Sequence, residues 1–237
     1  MINKMVVAVL LFGGKGERFD KNQPKQFYNL FGKTIIEHTI EKFILPNIDF
    51  ILIVSNPKFL EETIKILKKY SFLKKIQVIE GGNCREESTL NAINFLKKLL
   101  NYDDIVLIHD GVRPFVSKEI ILKNIKVAKE FGTAVTAIQS ENTIGIVKNN
   151  KIIEFPNREN TYIIQTPQTF NFGLLVDSFE KNIEKICSFT DDSSVVKKAG
   201  YSLQIVPGSK FNIKITTKED ILISEFLLRR EKDERDI

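Results

Sequence analysis

The chain has 237 residues, 43% of them hydrophobic, and its 35 basic and 30 acidic residues leave a formal net charge of +5. This length and apolar content suffice for one large α/β domain, and no apolar run approaches the roughly 20 residues of a membrane span. The basic excess is mild and spread along the chain, which disfavours a nucleic-acid binder and suits a small anionic substrate.

The first predicted strand, residues 5–11, is apolar on both faces, as a strand inside a parallel sheet must be. A glycine-rich loop follows it: Gly13, Gly14, Lys15 and Gly16. Such glycines let backbone N–H groups turn toward an anion, but a tight strand-to-helix turn explains the loop equally well. The loop is not a Walker motif, because no Gly-Lys-Ser/Thr closes it. It is not a dinucleotide fingerprint either, because Phe19 stands where the third glycine belongs. Arg18 and Lys25 add two cations nearby and favour phosphate binding.

Further buried strands are predicted at residues 49–54, 76–79, 104–108 and 133–138, with helices at 34–43, 60–70, 88–100 and 118–131. This alternation predicts an α/β fold with a mostly parallel sheet and right-handed crossovers. Residues 143–155 break the pattern and predict a β-hairpin around an Asn-rich turn, either a protruding arm or an edge hairpin. We expect a single domain, 1–237, with an arm at about 139–160.

Ligands of α/β proteins bind outside the carboxyl ends of parallel strands. The third predicted strand is followed by Gly81 and Gly82, which let a flat ring approach the backbone, and by Arg85 and Ser88. The fourth is followed by Asp110, whose carboxylate suits Mg²⁺ beside phosphates. A helix cap or a salt bridge to Arg113 would explain Asp110 about equally well.

Other polar residues have competing explanations. His109 continues an apolar strand, so we expect a hydrogen-bonded structural histidine rather than a general base. Asp191 and Asp192 could be a catalytic acidic pair, but the start of a helix at Ser193 is favoured. Lys214 is predicted inside an apolar strand, where either a bound phosphate or a snorkelling side chain would explain it.

Cys84 and Cys187 are far apart in the sequence and neither belongs to a CxxC motif. We therefore expect neither a disulfide framework nor a zinc site. Residues 1–4 lead directly into a strand without the pattern of a signal peptide. These features predict a protein of the reducing cytoplasm.

Taken in order, the segments GGKGERF, PKQF, EGG, HDGVRPF, QTPQTF and NIKITTKED resemble those of the polyol-phosphate cytidylyltransferases. The resemblance covers nearly the whole chain. It implies a Rossmann-like, three-layer α/β domain of the nucleotide-diphospho-sugar transferase type and a homodimer that exchanges its arms. It also implies Mg²⁺-dependent transfer of CMP from CTP to a polyol phosphate. No base is needed, because the attacking phosphate is already anionic.

The resemblance implies roles for individual residues. Arg18, Lys25 and Lys214 would stabilise phosphate charge, and Arg158 beside the arm would complete the catalytic set. A larger group would bind the nucleotide or border its site: Gly13, Gly14, Lys15, Gly16, Gly81, Gly82, Arg85, Ser88, Asp110, Gly111, Arg113 and Thr143. Asp110 would contact ribose or Mg²⁺.

Two acceptors fit the resemblance. Residues 190–194 (TDDSS) favour 2-C-methyl-D-erythritol 4-phosphate, used in non-mevalonate isoprenoid biosynthesis, over ribitol 5-phosphate. Two positions depart from the usual pattern. Phe211 stands where an acidic residue often holds the erythritol hydroxyls, and Phe12 stands where many members have alanine. A nucleotide-binding regulator without catalysis is disfavoured, because the expected catalytic cations are all present.

Overall fold

The computed structural model describes residues 4–14, 24–73 and 75–233, with side chains described up to residue 230. Lys15, Gly16 and Arg18 lie outside the described residues, so their predicted roles stay predictions. Within the described part, helices cover both faces of a central sheet, and a separate hairpin stands apart from it.

The central sheet has seven strands in the order β11-β7-β10-β6-β1-β4-β5. Their bounds are β1 Val6–Phe12, β4 Phe50–Ser55, β5 Ile76–Glu80, β6 Ile105–Asp110, β7 Thr133–Gln139, β10 Tyr162–Asn171 and β11 Ile205–Pro207. The five predicted strands are confirmed, and β10 and β11 add two that the pattern did not indicate. Only β10 runs antiparallel to its neighbours, so the predicted mostly parallel sheet is also confirmed.

Strand β1 lies in the middle of the sheet, between β4 and β6. All seven of its residues are buried. Val6, Ala8, Leu10 and Phe12 pack into the core on one face, and the alternate residues pack into the core on the other. An apolar run of this kind is the pattern of a doubly covered parallel strand. Its carboxyl end therefore opens at the centre of the sheet edge, where ligands bind in α/β folds.

The helices are α1 Ile35–Lys42, α2 Leu60–Leu67, α3 Arg85–Leu96, α4 Lys118–Phe131, α5 Phe172–Lys181, α6 Asp192–Lys198 and α7 Glu219–Asp233. The four predicted helices are confirmed, α4 with the same bounds. Helix α3 begins three residues before the predicted start, which makes Arg85 its first residue. In the described parts of the chain, no helix is long and apolar enough to cross a bilayer.

The predicted hairpin is confirmed as β8 Ile146–Lys148 and β9 Lys151–Glu154, which pair with each other and with no other described strand. Asn149 and Asn150 turn the chain with φ angles of 50° and 59°. Positive φ at both turn residues matches the twist of a tight hairpin, and Asn tolerates it. A short pair, β2 Asn29–Leu30 and β3 Lys33–Thr34, precedes α1.

The expectation about the cysteines is wrong. Cys84 and Cys187 form a disulfide, with their Cα atoms 5.9 Å apart. The separation of 103 residues concealed this contact, because the fold brings the start of α3 beside residues 183–188, just before α6. Location in the cytoplasm stays a prediction, and it loses the support that unpaired cysteines would have provided.

We predict that Cys187→Ser lowers the free energy of unfolding by about 4–5 kcal/mol, because a cross-link over a loop of this length restricts the unfolded chain. Denaturant unfolding without reductant measures the change. Dithiothreitol should destabilise the parent protein and leave the variant unaffected. Two free thiols in the native parent, with unchanged stability of the variant, would contradict the bond.

Candidate active site

A cavity of about 610 Å³ opens at the carboxyl ends of β1 and β6. Most of the predicted site residues that are described border it: Gly13, Gly14, Lys25, Arg85, Ser88, Asp110 and Lys214. Gly81 and Gly82 line an adjoining depression that shares Gly13 with the cavity. The structure therefore brings together residues from four distant parts of the chain, as the strand-end rule predicts.

The carboxylate of Asp110 contacts three cations at the end of β6. Its Oδ1 accepts a hydrogen bond from Arg85 Nε at 3.1 Å, and its Oδ2 lies 3.3 Å from Arg113 Nε and 3.0 Å from Lys214 Nζ. Burial would raise the pKa of Asp110, but these three charges outweigh it and hold the pKa well below the usual value. The salt bridge to Arg113 is thus confirmed as one part of a larger cluster.

Lys214 does not lie in a strand, so that prediction is wrong. Residues 211–218 run past the cavity without regular structure, and the N–H of Ile215 donates to the Val112 carbonyl at 2.9 Å. The carbonyl of Ile215 in turn accepts from Lys25 Nζ at 2.8 Å. The alternating apolar pattern reflects this docking of Ile215 into the core. Both lysines are thereby held at one side of the cavity.

Gly81 and Gly82 are required by packing within the protein. A Cβ on Gly82 would overlap the Cβ of Glu87, and one on Gly81 would lie 2.9 Å from Ser88 Oγ. Ser88 Oγ also accepts from the N–H of Gly82 at 3.0 Å and donates to the Cys84 carbonyl at 3.0 Å. The loop is therefore folded tightly onto the first turn of α3, which accounts for Gly81 and Gly82 without a bound ring.

Gly111 has a similar explanation. A Cβ at this position would overlap the ring of Phe12, which is only 2% exposed at the end of β1. The missing Cβ at residue 111 therefore makes room for a phenylalanine at residue 12. These two residues form one packed unit beside the cavity.

Asp192 lies buried behind the cavity, in contact with Arg85, and its sequence position did not predict this contact. Helix α6 begins at Asp192, one residue before the predicted start, and Asp191 caps it by accepting from the N–H of Ser194 at 2.8 Å. Asp192 itself is fully buried, with Oδ2 2.8 Å from a terminal nitrogen of Arg85. The acidic pair signalled a helix start correctly but gave no indication of this distant partner.

His109 is the structural residue that its position predicts. Its Nδ1 lies 3.0 Å from Thr166 Oγ1 and its Nε2 lies 3.0 Å from the Arg113 carbonyl. Burial lowers the pKa of His109 to about 4, so the ring is neutral at pH 7. A neutral ring with both nitrogens engaged is not available as a general base.

Thr143 and Arg158 are exposed on the arm region and do not border the cavity within this chain. Cys84, Cys187 and Glu87 place one potential ligand atom each within 4.8 Å of the others. The two sulfurs are bonded to each other, so this cluster is not a metal site in the disulfide form. Among the described residues that border the cavity, Asp110 is the only carboxylate.

The central sheet gathers a glycine loop, two lysines and an ion-paired aspartate around one cavity, as an enzyme that acts on nucleotide phosphates requires. The profile of IspD, 2-C-methyl-D-erythritol 4-phosphate cytidylyltransferase, matches residues 6–230. The chain belongs to this family.

Individual relatives agree with the family match. The cytidylyltransferases of Thermosipho africanus and Thermosipho melanesiensis are each 56% identical over 217 and 221 residues, covering 92% of this chain and 95% and 96% of theirs. The crystal structure of the 4-diphosphocytidyl-2C-methyl-D-erythritol synthase of Anaerococcus prevotii superimposes with a TM-score of 0.81 at 30% identity. It covers 95% of this chain and 96% of that one.

We predict that Gly82→Ala destabilises the protein by about 1–3 kcal/mol, because the new methyl group meets the backbone of Glu87 and the loop must move. Gly14→Ala is the matched control: a Cβ there has nothing within 4 Å, and its effect should stay within about 0.5 kcal/mol. Denaturant unfolding without nucleotide measures both. Equal stability of the two variants would show that the loop does not need a glycine at residue 82.

Proposed function

We propose that the protein transfers CMP from CTP to 2-C-methyl-D-erythritol 4-phosphate and releases pyrophosphate, a step of non-mevalonate isoprenoid biosynthesis. The family supplies the reaction class and favours this acceptor over ribitol 5-phosphate. The observation that carries the proposal in this chain is the convergence of Lys25 and Lys214 on the cavity beside Gly13 and Gly14.

The reaction is an in-line displacement at the α-phosphorus of CTP. An oxygen of the acceptor phosphate forms the new P–O bond, and the bond to pyrophosphate breaks. Because the attacking oxygen is already anionic, the protein must position the two phosphates and stabilise the growing negative charge. Lys25 and Lys214 are proposed to do so, together with Arg18. Removing one preorganised donor of this kind costs about 3–4 kcal/mol in comparable enzymes.

The nucleotide would lie along the loop after β1 and the start of α3. The backbone of Gly13 and Gly14, with Lys15 and Gly16, is proposed to face the triphosphate. The segment from Gly81 to Ser88 is proposed to border the base and ribose. Because Ser88 already fixes this segment by two hydrogen bonds, it needs little reordering when CTP binds.

Mg²⁺ fits this site as a companion of the nucleotide. Asp110 would be its protein ligand, but both carboxylate oxygens already contact cations. Before CTP binds, the site therefore carries net positive charge and should repel a divalent ion that arrives alone. Mg²⁺ commonly binds through one or two carboxylates together with substrate phosphates, and it would neutralise triphosphate charge here. We propose that the ion enters with CTP.

The acceptor half of the site is proposed to form in a homodimer. Thr143 and Arg158 belong to the arm region, which carries exposed apolar side chains at Ile152, Ile153 and Phe155. Such a surface is typical of a protein–protein contact. An arm that crosses to a second subunit would bury this surface and bring Arg158 to the neighbouring cavity. Phe211 is half exposed and stacks against Arg230, so it contributes no acidic ligand for the acceptor.

We expect pyrophosphate release from CTP and Mg²⁺ with methylerythritol phosphate, at a kcat/KM well above that with ribitol phosphate. ATP, GTP and UTP should be poor donors. A coupled pyrophosphate assay with each acceptor measures these rates. Equal or faster turnover of ribitol phosphate would overturn the assignment of the acceptor.

Lys25→Ala serves as the control for the site in the same assay. Its kcat should fall by about 10²–10³-fold, because one cation at the reacting phosphate is lost. Near-normal pyrophosphate release by this variant would show that the proposed cavity is not where transfer occurs.

We predict that Ile152→Asp on the arm converts a dimer to a monomer and removes acceptor turnover while CTP binding persists. A charge on the exposed apolar face of β9 should prevent that face from being buried. Phe72→Asp is the matched control, since Phe72 is 74% exposed and lies off the arm. Sedimentation velocity and the pyrophosphate assay at the same concentration measure the two effects. A fully active monomer would refute the shared site.

A further inference from the structure

Arg85 connects two buried carboxylates that come from distant parts of the chain. Its Nε donates to Asp110 at the end of β6, and one terminal nitrogen lies 2.8 Å from Asp192 at the start of α6. Asp110 and Asp192 are 6% and 0% exposed. A single guanidinium therefore spans the distance between the carboxylate of the cavity and a carboxylate behind it.

The guanidinium faces inward. Both terminal nitrogens of Arg85 are buried, and among the described residues neither makes a well-aligned hydrogen bond. The contact with Asp192 is therefore an ion pair. Although Arg85 borders the cavity, its two terminal nitrogens are buried. This arrangement is typical of a side chain that holds other protein groups in place. It is less suited to direct recognition of the cytosine base.

Asp192 is not needed to start its own helix. Asp191 supplies the capping carboxylate of α6, and Ser194 completes the capping box. The carboxylate of Asp192 is thus left to face Arg85. Burying a carboxylate is costly unless a cation meets it, so its position is explained by Arg85.

We infer that Asp192 is a positioning residue for CTP binding: it holds Arg85, and Arg85 holds the Asp110 carboxylate in the nucleotide cavity. The inference rests on the proposed function. The Cys84–Cys187 disulfide joins the same two chain segments, one residue before Arg85 and five before Asp192. Without Asp192, that terminal nitrogen would keep only a longer ionic contact with Glu86, at 3.9 Å, on the inner side, and the guanidinium would lose its closer inner anchor.

Asp192→Asn keeps the shape of the side chain and removes its charge. We expect CTP to bind about 10- to 100-fold more weakly, the range seen when residues that orient metal ligands are changed. The KM for CTP should rise far more than the KM for the acceptor. Calorimetric titration of CTP with Mg²⁺ measures affinity independently of turnover. Glu86→Gln is the matched control, since it removes another buried charge near Arg85, and it should bind CTP normally.

A double-mutant cycle separates positioning from general stability. If Asp192 acts through Arg85, then Asp192→Asn should weaken CTP binding no further once Arg85→Gln is present. A loss of affinity of the same factor in both backgrounds would overturn the inference. So would a variant that unfolds at lower temperature but binds CTP as the parent does.

If Asp192→Asn does not fold, Arg85→Lys still tests whether Arg85 must bridge the two carboxylates. A lysine carries the charge but cannot span two carboxylates with one ammonium, so it should lose CTP affinity nearly as far as Arg85→Gln. Normal affinity in Arg85→Lys would contradict the bridging role. Failure of the parent to transfer CMP while it still binds CTP would count against the proposed function and leave this inference intact.

Discussion

The site depends on one buried carboxylate. Asp110 is 6% exposed, yet it is the meeting point of β6, the first residue of α3 and the segment that carries Lys214. Three cations of like charge would repel one another at such distances if no anion lay between them. Asp110 supplies that anion, and burial in the protein makes its attraction for them stronger than it would be in water. The geometry of the cation cluster is therefore set before any nucleotide arrives.

The fixed geometry of these cations has a consequence for catalysis. Charge stabilisation works best when donors are already fixed where negative charge will develop, because no reorganisation is then needed during the reaction. Lys25 is held by the Ile215 carbonyl, and Lys214 is held by Asp110. The contact with Asp110 does not use all three donors of the Lys214 ammonium. In the proposed reaction, Lys214 would therefore contact phosphate while its ion pair with Asp110 keeps it in place.

The sequence predicted the parts of this arrangement that leave a local pattern. Strand β1 has a continuous apolar run and α4 has an apolar face at helical spacing, and both elements were predicted from these patterns. Contacts between distant segments leave no such pattern. The Cys84–Cys187 bond and the Arg85–Asp192 pair were missed for this reason. Lys214 was misassigned because Ile213 and Ile215 pack against a core cluster from a segment that is not a strand.

Phe12 stands where many family members have alanine, and the unusual residue is explained by a contact with a distant part of the chain. A phenylalanine beside a phosphate loop would fill the cavity if its ring pointed outward, but here it packs into the space left by the missing Cβ of Gly111. The two positions lie at the ends of neighbouring strands, and Leu11 pairs with Asp110 across them. The bulky residue at position 12 therefore requires the glycine at position 111. A larger residue at 111 would displace the ring of Phe12, which lines the cavity, so the shape of the cavity depends on both residues together.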